Sequence, residues 1–255
     1  RKKLLEKINL DDIEPSSRRY PAIIITSERE AGDQILHVTN MSKSLDGEML
    51  FSGLDLNVTK GDKIALISKN GLATTALYEI LNGNDTADSG EFQFGQTITT
   101  GYLPNENAEF FEEDLNLIDW LRQYSANKDE VYIRGFLGKM LFSGEETFKM
   151  ANVLSGGEKV RCMISRMMMT GGNFLMLDEP TNHLDLESIQ AFNNALKDFP
   201  GTVIFTCHDH QFTQTVATRI VELTPYGCLD KLMTFDDYIS SDKVKAQKEE
   251  MLAAI

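Results

Sequence analysis

The chain has 255 residues, 42% of them hydrophobic and 25% charged, with a formal net charge of −14. That length allows a sizeable core in one large domain or two small ones, and the composition reads as soluble and globular. The negative balance excludes broad nonspecific nucleic-acid binding, which needs clustered Lys and Arg, and no apolar run approaches the roughly 18–20 residues that span a bilayer.

The first twenty residues differ, with six basic side chains against four acidic ones, so any RNA contact would be local or supplied from upstream. No secretory leader is visible, and the chain opens on Arg1 rather than Met, as a piece of a longer polypeptide would. Residues 1–34 read as a helix end followed by an extended linker. Leu4, Leu5 and Ile8 fall at helical spacing, and Pro15 and Pro21 break the pattern. "ILHVTN" and "LDLNV" alternate with period two and predict half-buried antiparallel strands. Gly61-Asp62 turns the chain into a continuous apolar strand at 63–67, and a helix-like run covers Thr75 to Leu81.

Between that strand and helix lies "SKNGLATT", Ser68 to Thr75. It looks like a phosphate-binding loop without its lysine. The loop pattern is G-x-x-x-x-G-K-[ST]. Here Ser68 and Ala73 take the glycine positions, Thr74 takes the lysine position, and only Thr75 matches. Two short strands follow, in "DSGEFQF" and "TITTGYL". Residues 109–152 predict a mainly helical insertion: Leu117, Trp120, Leu121 and Tyr124 form one stripe, and "VYIRGFLGKMLF" a second helix. Beyond it the prediction is helix 158–169, strand 173–178, helix 186–198, strand 202–207, helix 209–218 and strand 219–223. Strands alternating with helices predict a parallel α/β core. The tail "DKVKAQKEEMLAAI" predicts an exposed helix.

Three segments carry chemistry. In "NFLMLDEPTNHLD" an apolar strand ends in Asp178 and Glu179, which puts two carboxylates at the sheet edge where α/β proteins bind ligands. Asp178 can hold Mg²⁺ and Glu179 can orient an attacking water, as phosphoryl transfer requires. In "LSGGEKVR" Ser155, Gly156 and Gly157 precede a helix, whose exposed N–H groups and dipole favour an anion. In "TCHDH" His208 ends a strand within reach of a phosphate oxygen. His208 and His210 lack the Cys or carboxylate set that a zinc site needs. Cys162, Cys207 and Cys228 form no CxxC pair and fit a reducing cytosol, and Met163, Met167, Met168 and Met169 fit core packing.

Together, LSGGEKVR, LDEPTNHLD and the histidine of TCHDH resemble the nucleotide-binding domain of ABC ATPases. LSGGE instead of LSGGQ, NHLD after the acidic pair, and "FLGKMLFSGEE" upstream resemble the ABC-F family, closest to its YbiT-like branch. The resemblance covers nearly the whole chain. It implies an α/β P-loop NTPase fold with an antiparallel β subdomain and a helical subdomain. The implied organisation is the end of an interdomain linker at 1–34, a nucleotide-binding domain at 35–228 with its helical subdomain at about 109–160, and a C-terminal extension at 229–255. It also implies a cytoplasmic protein without a membrane domain, ATP and Mg²⁺ as cofactors, and two partners: an N-terminal nucleotide-binding domain on the same polypeptide, and the ribosome. The fragment alone would be a monomer or a homodimer.

By position, the resemblance makes Glu179 and His208 the catalytic pair and Ser68, Lys69, Asn70, Gly71, Leu72, Ala73, Thr74 and Thr75 the nucleotide loop. Leu45 and Asn105 also fall at nucleotide-contacting positions, and Thr75, Asp178 and Asn105 at the metal. Ser155, Gly156, Gly157 and Glu158 form the signature and Asp185 is the D-loop acid, both serving the partner domain's ATP. Three departures cluster. The loop lysine is Thr74, the glutamine after "GYLP" is Asn105, and the adenine-stacking aromatic is Leu45. All three belong to the site built on this domain's own loop, while the signature is intact. Losing a charged hydrogen bond and a stacking partner weakens that site by about 2–4.5 kcal/mol, or ~30- to 2000-fold. The expected function is an ATPase half whose signature completes the other domain's site. The alternatives are a hydrolysis-deficient, nucleotide-gated interaction module and the ATP-binding subunit of a membrane transporter.

Overall fold

The alternating runs near the start become long strands. In the computed structural model, which describes residues 19–69 and 71–253, "ILHVTN" lies within β1 (Gln34–Leu45) and "LDLNV" within β2 (Glu48–Thr59). The helix end expected before Pro15, the loop residue Asn70, and the last two residues of the tail lie outside the described residues. β1 pairs antiparallel with β2 and with β4 (Ser89–Phe94), giving a three-stranded sheet in the order β2-β1-β4.

The second sheet has six strands. β3 (Lys63–Ser68), β5 (Thr100–Leu103), β6 (Phe174–Asp178), β7 (Thr202–Thr206) and β8 (Arg219–Thr224) run parallel, and β9 (Gly227–Lys231) closes the edge antiparallel to β8. The order is β5-β6-β7-β3-β8-β9. Parallel pairing brings the C-terminal ends of β3, β6 and β7 to one edge, so Ser68, Asp178 and Thr206 begin neighbouring loops.

Both faces of this sheet are covered, which explains the apolar runs of its central strands β3, β6 and β7. Ile64, Leu66, Phe174, Met176 and Ile204 face the antiparallel sheet and α1 (Gly71–Asn82). Ala65, Leu175, Leu177, Val203 and Phe205 face α4 (Gly156–Thr170), α5 (Leu186–Asp198) and α6 (His210–Val216). The four methionines of α4 are buried in that second core, Cys162 is buried beside them, and all three cysteines are unbridged.

The insertion is less helical than its pattern predicts. It holds α2 (Leu117–Arg122), α3 (Glu130–Lys139) and three 3-10 turns at Ala108–Phe111, Gly144–Phe148 and Ala151–Val153. Trp120 and Leu121 of the predicted stripe are buried, and Phe111 stacks on Trp120 at 4.7 Å. The helix of "VYIRGFLGKMLF" stops at Lys139. Gly135 and Gly138 weaken it, the capping Met140 N–H bonds back to Leu137 and Gly138, and Leu141 turns away at φ +70°.

Two elements near the C-terminus were not anticipated, β9 and α7 (Phe235–Ser240). β9 crosses the 228/229 division drawn from the sequence. The Glu222 carboxylate of β8 accepts from the Tyr238 hydroxyl at 2.6 Å and pairs with Lys248 of α8 (Asp242–Ala253) at 2.6 Å, which holds both last helices against the sheet.

Candidate functional site

The phosphate-loop segment is where the sequence departs most from its pattern, and the backbone departs with it. α1 starts at Gly71, four residues before the expected helix, so the second half of the loop is helical. Ala73 and Thr74 are buried, Thr74 at 3% exposure. The Thr74 hydroxyl donates to the Gly71 carbonyl at 2.8 Å, a bond within its own helical turn. At the position where the pattern has an ammonium group there is a hydroxyl turned onto the backbone. Lys69, Leu72 and Leu45, the last residue of β1, are exposed.

The residue after Thr74, Thr75, belongs to a bonded group. The Thr75 hydroxyl donates to Asp178 Oδ2 at 2.8 Å, and the Thr206 hydroxyl donates to Asp178 Oδ1 at 2.8 Å. Asp178 is 3% exposed, and burial raises its pKa, partly offset by these two bonds. A hydroxyl and a carboxylate oxygen this close fit a hard cation that takes few protein ligands, as Mg²⁺ does. Among the described residues no three His, Cys, Asp or Glu side chains converge as a dedicated metal cage.

Glu179 sits at φ +50°, a left-handed conformation rare for a side chain of its size. Its N–H reaches both the carbonyl and the hydroxyl of Thr206, at 3.2 and 3.1 Å. Its carboxylate receives the His208 N–H at 3.2 Å, and His208 Nε2 stands 3.4 Å from the other oxygen. The histidine side chain is 91% exposed and the glutamate 12%. Burial raises the Glu179 pKa, and His208 opposes that rise. An acid with an elevated pKa at a sheet edge, beside an exposed imidazole, is suited to orienting water or exchanging a proton there. Asn105 Oδ1 accepts from the amide of Asn182 at 3.0 Å, which ties the segment after β5 to the turn after β6.

A second group lies at the start of α4. Ser155 caps the helix: its N–H and hydroxyl donate to Glu158 Oε2 at 2.9 and 2.8 Å, and its Oγ accepts the Glu158 N–H. Partial burial would raise the Glu158 pKa, but Lys149 and these Ser155 bonds outweigh it and bring it down to about 2. His183, at φ +64°, packs on the two glycines: a Cβ on Gly157 would meet the His183 carbonyl at 2.6 Å. Asp185 caps α5 by accepting from the Ser188 N–H at 2.8 Å, and bonding from Ser188 holds its carboxyl below the usual range. A cavity of about 270 Å³ opens between Ser155, Glu158, Arg161, His183 and Asp185.

The fold therefore gathers Thr75, Asp178, Glu179 and His208 in one place and Ser155, Gly156, Gly157, Glu158 and Asp185 in another. Sequence reasoning missed Thr206, Asn182, Lys149 and Arg161. Thr206 stands inside the quoted "TCHDH", but a lone threonine carries no signal until β6 and β7 are known to be neighbours in register.

Comparison with known proteins places the chain in a family. The ABC transporter family profile matches residues 51–182, just over half of the chain. The uncharacterized ABC transporter ATP-binding protein YkpA of Bacillus subtilis is 54% identical over 99% of this chain and 47% of its own length. The protein named "Probable ATP-binding protein YbiT" of Escherichia coli O157:H7 is 37% identical over 96% of this chain and 46% of its own. The energy-dependent translational throttle protein EttA of Escherichia coli K12 is 31% identical over 77% of this chain and 36% of its own. The chain thus spans less than half the length of these relatives. A solved dimer of an ATP-binding cassette with ADP and phosphate superposes with a TM-score of 0.64 at 16% identity, covering 78% of this chain and 99% of that one. A family profile over half its length and relatives up to 54% identical over nearly all of it show that the chain belongs to the ABC transporter family of ATP-binding domains.

Proposed function

We propose that this chain is the C-terminal half of an ABC-F protein, closest to the YbiT-like branch, and that it acts with an upstream nucleotide-binding domain on the ribosome. Its own phosphate loop grips triphosphate poorly. Its signature, Ser155 to Glu158 with Asp185, completes the ATP site of the other half, and ATP clamps the two halves together. Hydrolysis belongs to the full-length protein, in the cytoplasm, with Mg²⁺ bound beside the nucleotide. Where a metal is held on this side, Thr75, Asp178 and Asn105 are its proposed neighbours, and Glu179 with His208 would orient water.

One observation carries the reading. The lysine position holds a threonine whose hydroxyl is spent on Gly71, while the helix cap at Ser155 is fully formed. Ribosome action is supported by similarity to EttA, named for translational throttling, and by length: relatives of about twice this chain have room for a second such domain. Among the described residues no helix is long and apolar enough to cross a membrane.

The test is cosedimentation of the full-length protein with ribosomes. Mg·ATP, with the upstream domain's catalytic glutamate changed to glutamine to prevent turnover, is expected to drive the protein into the ribosome pellet, and ADP to release it. Sedimentation independent of nucleotide, or recovery only with membranes, would overturn the assignment.

A further inference from the structure

The cap of α4 carries an acid at the place proposed to receive an anion. Glu158 stands where the commoner signature has a neutral glutamine. A helix N-terminus attracts phosphate, but a carboxylate one turn inside it repels phosphate. The pKa of Glu158, about 2, keeps it ionised at neutral pH, so protonation does not relieve the conflict. The side chains lining the adjoining cavity include two carboxylates, Glu158 and Asp185, against one guanidinium, Arg161.

Lys149 changes that balance. Its ammonium lies 2.6 Å from Glu158 Oε1, while Oε2 takes the N–H and hydroxyl of Ser155. The lysine comes from outside the motif. It follows the 3-10 turn Gly144–Phe148, its N–H bonds to Glu146, and its carbonyl accepts the Leu117 N–H that opens α2. The next residue, Met150, bridges to Asn116. The backbone of Lys149 is thus fixed against the helical segment. Of the other cations of α4, Lys159 lies over Phe111 and Arg166 over Phe110 and Tyr124, while Arg161, over Phe142, shares the cavity without an ion pair to Glu158.

We propose that Lys149 is a positioning residue that neutralises Glu158 and so lets an acidic signature turn accept the terminal phosphate of a nucleotide held by the neighbouring domain. With Oε1 paired to the ammonium, Oε2 competes less strongly for the Ser155 hydroxyl, and that hydroxyl is released to the phosphate. The role rests on the signature function proposed above and adds to it a residue in a different segment.

Steady-state ATP turnover by the full-length protein tests it, with KM and kcat measured for wild type, Lys149→Met, Glu158→Gln and the double variant. Lys149→Met is expected to raise KM for ATP about three- to tenfold at low salt with a smaller change in kcat, and the effect is expected to shrink at high salt. A neutral residue at 158 needs no compensation, so the double variant returns to within about twofold of Glu158→Gln. A purely structural lysine would show neither the salt dependence nor the rescue. Wild-type KM in a Lys149→Met protein of unchanged melting temperature, or a double variant as impaired as Lys149→Met, would overturn the proposal. Ser155→Arg separates the two ideas. If Ser155→Arg abolishes turnover while Lys149→Met is normal, the lysine's role alone fails. If Ser155→Arg turns over normally, the signature reading fails and the lysine's role with it.

Discussion

Thr206 donates to Asp178 and receives the Glu179 N–H, so one hydroxyl ties the last residue of β6 and the acid after it to the end of β7. It is 5% exposed, and its loss leaves buried polar groups short of a partner. Thr206→Val is expected to lower unfolding free energy by about 1–3 kcal/mol, read as a shift in denaturant midpoint, with Thr206→Ser close to wild type. Asp178 gives a pH-dependent prediction. Burial raises its pKa in the folded state, so above the ordinary carboxylate range the folded protein holds a proton that the unfolded chain has released. Stability from this group therefore falls as pH rises through that window. Asp178→Asn removes the cost. It is expected to melt above wild type at neutral pH, with the gain vanishing as pH drops below the ordinary carboxylate range. At this scale the acids themselves were legible, because two carboxylates after an apolar run need no partner to be noticed. Thr206 and Lys149 were not, because each acts through a partner outside its own motif, 28 and 9 residues away.

α1 takes in part of the phosphate-loop segment. It begins at Gly71, with Ala73 and Thr74 at the positions of the pattern's glycine and lysine, and Thr74 turns its hydroxyl onto its own turn. The sequence placed the helix start four residues later, since the phosphate-loop pattern itself implies an open loop there. Restoring both residues, Ala73→Gly with Thr74→Lys, is expected to raise Mg·ATP affinity about tenfold or more, measured by calorimetry on this chain. The long strands and α4 were legible from period and capping. β9 was not, as "GCLDK" is five residues with two charges and pairs only at an edge. α7 had a readable start: the Thr234 side chain caps it by accepting the Asp237 N–H, the threonine–acid spacing of a helix cap.

In the whole molecule, one sheet edge carries Asp178, Glu179 and His208 while the start of α4 carries the capped turn at Ser155, and only the first is joined to a loop without the pattern's lysine. The sequence alone indicated this asymmetry, because the departures at Leu45, Thr74 and Asn105 all fall in one set of motifs. The fold class was equally legible, since alternating strands and helices leave few arrangements. The proposed function makes the two ATP sites of the full-length protein unequal, with this chain giving its signature to the working one. The decisive measurement is ATP turnover by full-length protein carrying Ser155→Arg or Glu179→Gln, side by side. Ser155→Arg is expected to abolish turnover while Glu179→Gln leaves most of it. Turnover lost to Glu179→Gln and kept in Ser155→Arg would rule out that division.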